Sequence, residues 1–187
     1  MASILNVDKI RATGSTTDGL TVNSSGIVTP AQQPIFHVTK NTDQTLSDAV
    51  TAVITFEETT DGSNSGRTIN KGGLFANNKL TVTADTVGYY WIYCNLFFQG
   101  SSSLDDMHGY YRKNGSETQQ VVYQSGGWAN ENRYGTYQNH QVIHLPNAGD
   151  YVEVYARIGQ TNDQSPSIGG YSDSNRYSVF GGYKIIR

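Results

Sequence analysis

Residues 79–98 read KLTVTADTVGYYWIYCNLFF, and this stretch decides the fold of the 187-residue chain. Val, Ile, Thr and Tyr are frequent in it, and it divides into two predicted strands, Lys79–Ala84 and Gly88–Phe98. Its apolar run is too short to span a membrane and is rich in tyrosine. Cys94, the only cysteine, lies in this run and is expected to be a buried, inert thiol. The stretch therefore predicts β-structure in the core of the protein.

Similar short runs occur on both sides of this stretch, separated by clusters of Gly, Asn, Asp and Ser. Asn114-Gly115 predicts a tight hairpin turn with positive φ at both residues, and Pro146–Asp150 predicts a second sharp connection. Helix signals are nearly absent. Many short strands at regular spacing indicate an all-β protein, an antiparallel jelly roll or β-sandwich. The other predicted strands are Ile35–Thr39, Val50–Glu57, His108–Lys113, Thr118–Tyr123, Thr136–Leu145, Tyr151–Ile158 and Tyr177–Ile186.

The composition excludes several classes of partner. The chain has 13 Lys and Arg against 16 Asp and Glu, a formal net charge of −3, and none of its segments is a basic run. Binding to nucleic acid or to an anionic membrane requires clustered cations, so neither is expected. The beginning, MASILNVDKIRATG, lacks the basic start and apolar segment of a signal peptide.

The first 33 residues differ from the rest of the chain. Eight Ile, Leu and Val residues scattered over this length cannot build a core of their own, and Pro30 and Pro34 flank a segment that resembles a linker. We therefore expect two parts, an extended N-terminal β arm at residues 1–33 and a jelly-roll domain at residues 34–187. Such an arm can pair with copies of itself or lie on another protein. The candidate docking residues are Ile4, Leu5, Val7 and Ile10.

From Pro34 onwards the sequence resembles the C1q/TNF-like family of trimeric jelly rolls. PIFHVTK resembles the first strand of that family, AVITFEET the second, YYRKNGSE its hairpin, and VIHLPNAGDYVEVYA a later strand pair. Gly88 and Tyr90 fit the Gly-x-Tyr strand that crosses the core, although Ile92 replaces the usual aromatic residue. Phe180 and Gly182 fit the closing strand, SVFGGYKII. The resemblance implies a homotrimer.

The N-terminal segment has a second resemblance. ILNVDKI is similar to the phrase that opens many short N-terminal segments of bacteriophage virion proteins, especially those of cyanobacterial phages. This resemblance implies a structural protein displayed on the surface of a phage particle and anchored by its arm.

Candidate sites for metals and catalysis are weak. His140 and His144 would lie about 13 Å apart on one face of a strand, too far to share a metal ion. Asp105 and Asp106 could contribute to a calcium site, but a solvated turn is the better interpretation because calcium needs six or more oxygens. No catalytic motif is present, so we predict neither enzymatic activity nor a cofactor.

The segment QSGGWANENRYGTYQNH, residues 124–140, places aromatic rings among amides and a guanidinium group. Such a set suits the binding of a glycan, whose apolar face stacks on a ring while polar groups contact its hydroxyls. The same rings could instead pack on the edge of the sandwich or in a subunit interface, which is enriched in Tyr and Trp. The candidate glycan-binding residues are Trp128, Asn130, Arg133, Tyr134 and Tyr137.

The end of the chain points to self-association. Ile185 and Ile186 have side chains on opposite faces of a strand, so at least one must find cover outside its own sheet. We expect Tyr183, Ile185 and Ile186 to contribute to a trimer interface. Two functions remain open: a capsid decoration protein or short head fibre, and a receptor-binding tail-fibre tip or secreted lectin module. The predicted core is Phe36, Val38, Val53, Phe56, Tyr90, Ile92, Cys94, Val152, Val154 and Phe180.

Overall fold

The structure is a computed structural model that describes residues 9–10, 20–22, 24–30, 33–57, 60, 68–100, 104–123, 134–160, 165–170 and 178–186. The chain divides into two compact units, residues 1–33 and 34–187. Strands β1 (Lys9–Ile10), β2 (Leu20–Val22) and β3 (Val28–Pro30) form a small antiparallel sheet in the first unit. In the described residues, no helix is long and apolar enough to cross a membrane.

The second unit is an antiparallel jelly-roll β-sandwich. Its strands are β4 (Ile35–Thr39), β5 (Gln44–Thr45), β6 (Ala52–Val53), β7 (Ile69–Lys71), β8 (Phe75–Ala76), β9 (Lys79–Thr81), β10 (Gly88–Gln99), β11 (Leu104–Lys113), β12 (Ser116–Tyr123), β13 (Tyr134–Leu145), β14 (Tyr151–Gln160), β15 (Ser167–Ile168) and β16 (Val179–Ile186). The first sheet has the order β5-β15-β10-β16-β4-β7, with β13 paired along the whole length of β10. The second sheet has the order β12-β11-β14-β9-β8, with β6 also paired to β14.

Strand β10 shows why this sequence forms a sandwich. Its even-numbered residues are buried in strict alternation along all 12 positions, so one face of the strand lies in the core. In β14, the opposite sheet contributes Val152, Val154, Ala156 and Ile158, all fully buried. The two apolar faces cover each other, which is how a sheet with one hydrophobic face becomes stable in water.

A cluster of aromatic rings fills the centre of the core. The ring of Phe180 in β16 meets the ring of Phe36 edge-on at 4.9 Å. It also lies 5.8 Å from Phe75 and 6.0 Å from Tyr111, which belong to the opposite sheet. Phe180 therefore connects the two sheets.

The predicted hairpin turn is present between β11 and β12. Asn114 and Gly115 have φ values of 50° and 79°, as a turn with two positive φ angles requires. The Asn114 side chain also donates to Asp150 and accepts from the backbone N–H of Tyr151. These bonds tie the β11–β12 turn to the connection between β13 and β14.

The segment predicted as strand Val50–Glu57 forms a strand only at Ala52–Val53. The N–H of Ile54 still donates to the backbone carbonyl of Val154, but the next two N–H groups donate to side chains, that of Thr55 to Gln44 and that of Phe56 to Asn78. The prediction of Val53 as a core residue is wrong. Val53 pairs with Tyr155 and is only half-buried, whereas the next residue, Ile54, turns inward and is fully buried. The other predicted core residues are buried.

Candidate interaction surface

The outward side of the first sheet carries rows of aromatic and apolar side chains, because cross-strand partners share a face. One row runs Ile35, Tyr183, Trp91 and Val142 across β4, β16, β10 and β13. We call this surface the aromatic face, and its members are Ile35, His37, Tyr89, Trp91, Tyr93, His140, Val142, His144, Tyr183 and Ile185.

The rings of the aromatic face contact one another. Tyr89 and His144 stack in parallel with their centroids 4.1 Å apart. Trp91 lies 5.2 Å from Tyr93 and 5.5 Å from Tyr183. These rings lie on three adjacent strands. The register of β10 with β13 is regular throughout, and the register of β10 with β16 is regular from Tyr90 to Asn95, with a shift between Tyr89 and Tyr90.

A glycine in β16 shapes the next row, which contains His37, Gly181, Tyr93 and His140. The Tyr93 ring lies across Gly181, where an added Cβ would overlap the ring. Tyr93 Oη thereby reaches His37 Nδ1 at 2.5 Å. Burial lowers the pKa of His37 and raises the pKa of Tyr93, so both groups favour their neutral forms.

The strands behind the aromatic face are poor in charge. None of β4, β5, β7, β10, β13, β15 and β16 contains Asp or Glu, and Lys71 and Lys184 are their only Lys or Arg residues. On the opposite sheet, by contrast, Arg157 pairs with Asp106, and the Arg112 guanidinium lies 4.2 Å from the centre of the Tyr155 ring. Depletion of charge together with enrichment in aromatic residues is typical of the centre of a protein–protein interface.

Several side chains of the aromatic face remain exposed to water. Tyr89 is 37% exposed, Val142 54%, Tyr183 36% and Ile185 43%. They are four of the seven large hydrophobic residues that are exposed in the described part of the chain. Contiguous exposed apolar surface of this kind marks an interaction site more often than isolated exposed residues do.

The predicted glycan-binding residues are placed only in part. Trp128, Asn130 and Arg133 lie outside the described residues. Tyr134 is 55% exposed and stacks on Phe97 with a centroid distance of 5.8 Å. The prediction of Tyr137 as part of the same exposed platform is wrong, because its side chain points into the core and is 3% exposed.

The predicted interface and docking residues are also placed in part. Tyr183 and Ile185 lie on the aromatic face. Ile186 lies in β16, and the structure describes its backbone only. Of the docking candidates, Ile10 lies in β1, and the other three, Ile4, Leu5 and Val7, fall outside the described residues.

The acidic pair belongs to a strand, so its interpretation as a solvated turn is wrong. Asp105 and Asp106 lie in β11, and Asp106 is half-buried. The Asp106 carboxylate accepts from Arg157 and lies 3.2 Å from His108 Nε2. This carboxylate is therefore engaged by protein groups, and among the described residues no cluster of three or more metal-ligating side chains occurs.

The sequence of β10 indicates an outward aromatic face, which the predictions from sequence missed. In GYYWIYCNLFF, the residues between the core positions are also aromatic at Tyr89, Trp91, Tyr93 and Phe97. A strand that is apolar on both faces needs cover on both faces.

Comparisons with known proteins support the fold. The chain's sequence matches no known protein family and no curated protein. Its structure is similar to the crystal structure of murine APRIL, a TNF-family protein, with a TM-score of 0.53 and 16% identity. The similarity covers 82% of this chain and 100% of the APRIL chain. At this level of identity the comparison establishes the jelly-roll fold.

Proposed function

We propose that the chain is a non-enzymatic structural module that assembles as a homotrimer, with the aromatic face as the subunit interface. The observation that carries the proposal is this charge-depleted sheet face with its exposed aromatic and apolar side chains. The trimer is the assembly that the family resemblance implies. Three copies can cover one another's faces around a common axis and remove this surface from water.

Two valine substitutions test the interface. Val142 is 54% exposed on the aromatic face, and Val50 is 52% exposed outside it. Val142→Glu would bury an unpaired carboxylate beside aromatic rings, at a cost of about 3–5 kcal/mol. We expect this variant to weaken association more than about a hundredfold in sedimentation experiments, whereas Val50→Glu should associate like the wild type. Equal association of all three proteins would refute the proposed interface.

We further propose that the trimer is displayed on the surface of a phage particle as a capsid decoration protein or short head fibre, anchored by residues 1–33. The support is the likeness of ILNVDKI to phage virion segments, together with the division of the chain at residues 33 and 34. Deletion of residues 2–33 should abolish binding to particles and leave the trimer intact. Normal particle binding by the truncated trimer would exclude anchoring through the arm.

A second candidate function is glycan binding at the tip of a tail fibre or in a secreted lectin-like module. The observation in its favour is the exposed Tyr134 ring stacked on Phe97 at the end of the sheet, next to the segment that contains Trp128. A ring pair of this kind can stack on the apolar face of a sugar. A glycan array would test this role: binding by the intact protein that is lost in Tyr134→Ala supports it, and the absence of binding by the intact protein contradicts it.

A further inference from the structure

The distribution of histidines over the fold is uneven. The chain has four histidines, and three of them lie on the aromatic face. His37 is in β4 opposite Gly181, His140 is opposite Tyr93, and His144 is opposite Tyr89. Histidine is the residue whose charge ordinarily changes in mildly acidic solution. In the proposed trimer, the interface would therefore contain three such residues from every chain.

The described strands that carry these histidines contain no acidic side chain that could neutralise an added positive charge. No Asp or Glu occurs in any strand of their sheet, and the titratable partners of the imidazoles are phenols, Tyr93 for His37 and His140 and Tyr89 for His144. The charged side chains in the described strands of this sheet, and the one that reaches it from β11, are cations. Lys113 reaches from β11 to the backbone carbonyl of His144, with a distance of 2.7 Å from its Nζ, and the sheet contains Lys71 and Lys184.

The direction of the bond between His37 and Tyr93 depends on the charge of the imidazole. A neutral ring can accept the Tyr93 hydroxyl proton at Nδ1, whereas a protonated ring can only donate from both nitrogens. Protonation would therefore force the hydroxyl to turn its proton away within a half-buried site. Burial already lowers the pKa of His37.

We propose that the aromatic face is a pH-sensitive interface, which separates in mildly acidic solution because trimer formation would bury three histidines of every chain, His37, His140 and His144, among aromatic rings. This inference rests on the proposed trimer. Burial of an imidazolium away from water without a counter-charge is unfavourable, so protons bind preferentially to the dissociated chain. Below a histidine's ordinary pKa of about 6.5, each proton taken up on dissociation weakens association by roughly tenfold per pH unit.

The proposal can be tested by measuring the mass of the full-length protein between pH 8 and pH 5, by light scattering or sedimentation at one protein concentration. Circular dichroism at each pH shows whether the chain stays folded. We expect a trimer at pH 8 and a folded monomer at pH 5. The variant with His140→Gln and His144→Gln, both at exposed positions, should remain trimeric to a lower pH. The matched control is His108→Gln on the opposite sheet, which should dissociate like the wild type.

Each outcome has a defined meaning. A wild-type trimer that persists unchanged at pH 5 overturns the pH-sensitive interface and leaves the proposed trimer in place. A monomer at pH 8 overturns both. Loss of the β circular dichroism signal together with the trimer overturns the inference, because acid would then unfold the chain rather than separate it. An effect of His108→Gln as large as that of the double variant also overturns it.

Discussion

Replacement of Gly181 by alanine should destabilise the protein through Tyr93. A methyl group at residue 181 would overlap the Tyr93 ring, so the ring must leave its position and its hydroxyl must leave His37 Nδ1. Overpacking of this kind costs about 1–3 kcal/mol, and the lost hydrogen bond adds about 1 kcal/mol. We therefore expect a loss of about 2–4 kcal/mol. For a chain of this size, this corresponds to a decrease of roughly 4–16 °C in Tm.

The assay is urea denaturation at one fixed protein concentration, because the stability of an oligomer depends on concentration. The control is the same substitution in a Tyr93→Leu background, where no ring lies over residue 181. In that background Gly181→Ala should change stability by less than about 0.5 kcal/mol, since the added methyl group displaces no ring. An equal cost of Gly181→Ala in both backgrounds would refute the role assigned to the Tyr93 ring.

Three further predictions concern the core ring of Phe180, the carboxylate of Glu57 and the thiol of Cys94. Phe180→Ala should lower the free energy of unfolding by about 3–5 kcal/mol, because it empties the centre of the core. Phe97→Ala, on the outward face of the sheet, should cost clearly less. Equal losses of stability for the two variants in thermal denaturation would contradict the central position of Phe180. Burial acts to raise the pKa of the Glu57 carboxyl group, but hydrogen bonds, the largest from Lys40, outweigh it and hold this pKa below its ordinary value of 4.5. The free energy of unfolding of the wild type should therefore fall when the pH is lowered below 4.5. Glu57→Gln should lack this acid-dependent loss. If denaturant titrations gave the wild type and Glu57→Gln the same dependence of unfolding free energy on pH, the carboxylate would not contribute. Burial raises the pKa of the Cys94 thiol to about 12, so a thiol reagent should label it only in denaturant; rapid labelling of the native protein would show that the thiol is accessible.

The long strands could be predicted from sequence because their hydrophobic alternation is a local property. The predicted Gly88–Phe98 and Thr136–Leu145 differ from β10 and β13 by at most two residues at either end. The strands that were missed, β5, β7, β8 and β15, contain two or three residues each and have no recognisable period. At Val50–Glu57 the backbone bonds to side chains that are distant in sequence, which a local pattern cannot reveal.

The candidate site was only partly predictable. Tyr134 and Tyr137 are three residues apart in a strand, so their side chains must lie on opposite faces. The predicted strand began at Thr136, so this alternation could not be applied to Tyr134 from the sequence; the structure shows Tyr134 exposed and Tyr137 buried. The aromatic face was harder to predict because it combines residues of four strands, and its rows depend on the register between β4, β16, β10 and β13.

The measurement that tests the central proposal most directly is the solution mass of the wild-type protein at pH 8. The chain has a mass of 20.5 kDa, so sedimentation equilibrium should give three times this value, about 61.5 kDa. The same experiment on Val142→Glu should give a mass shifted towards the single chain. A wild-type mass of 20.5 kDa at micromolar concentration would contradict the assignment of the aromatic face as a subunit interface.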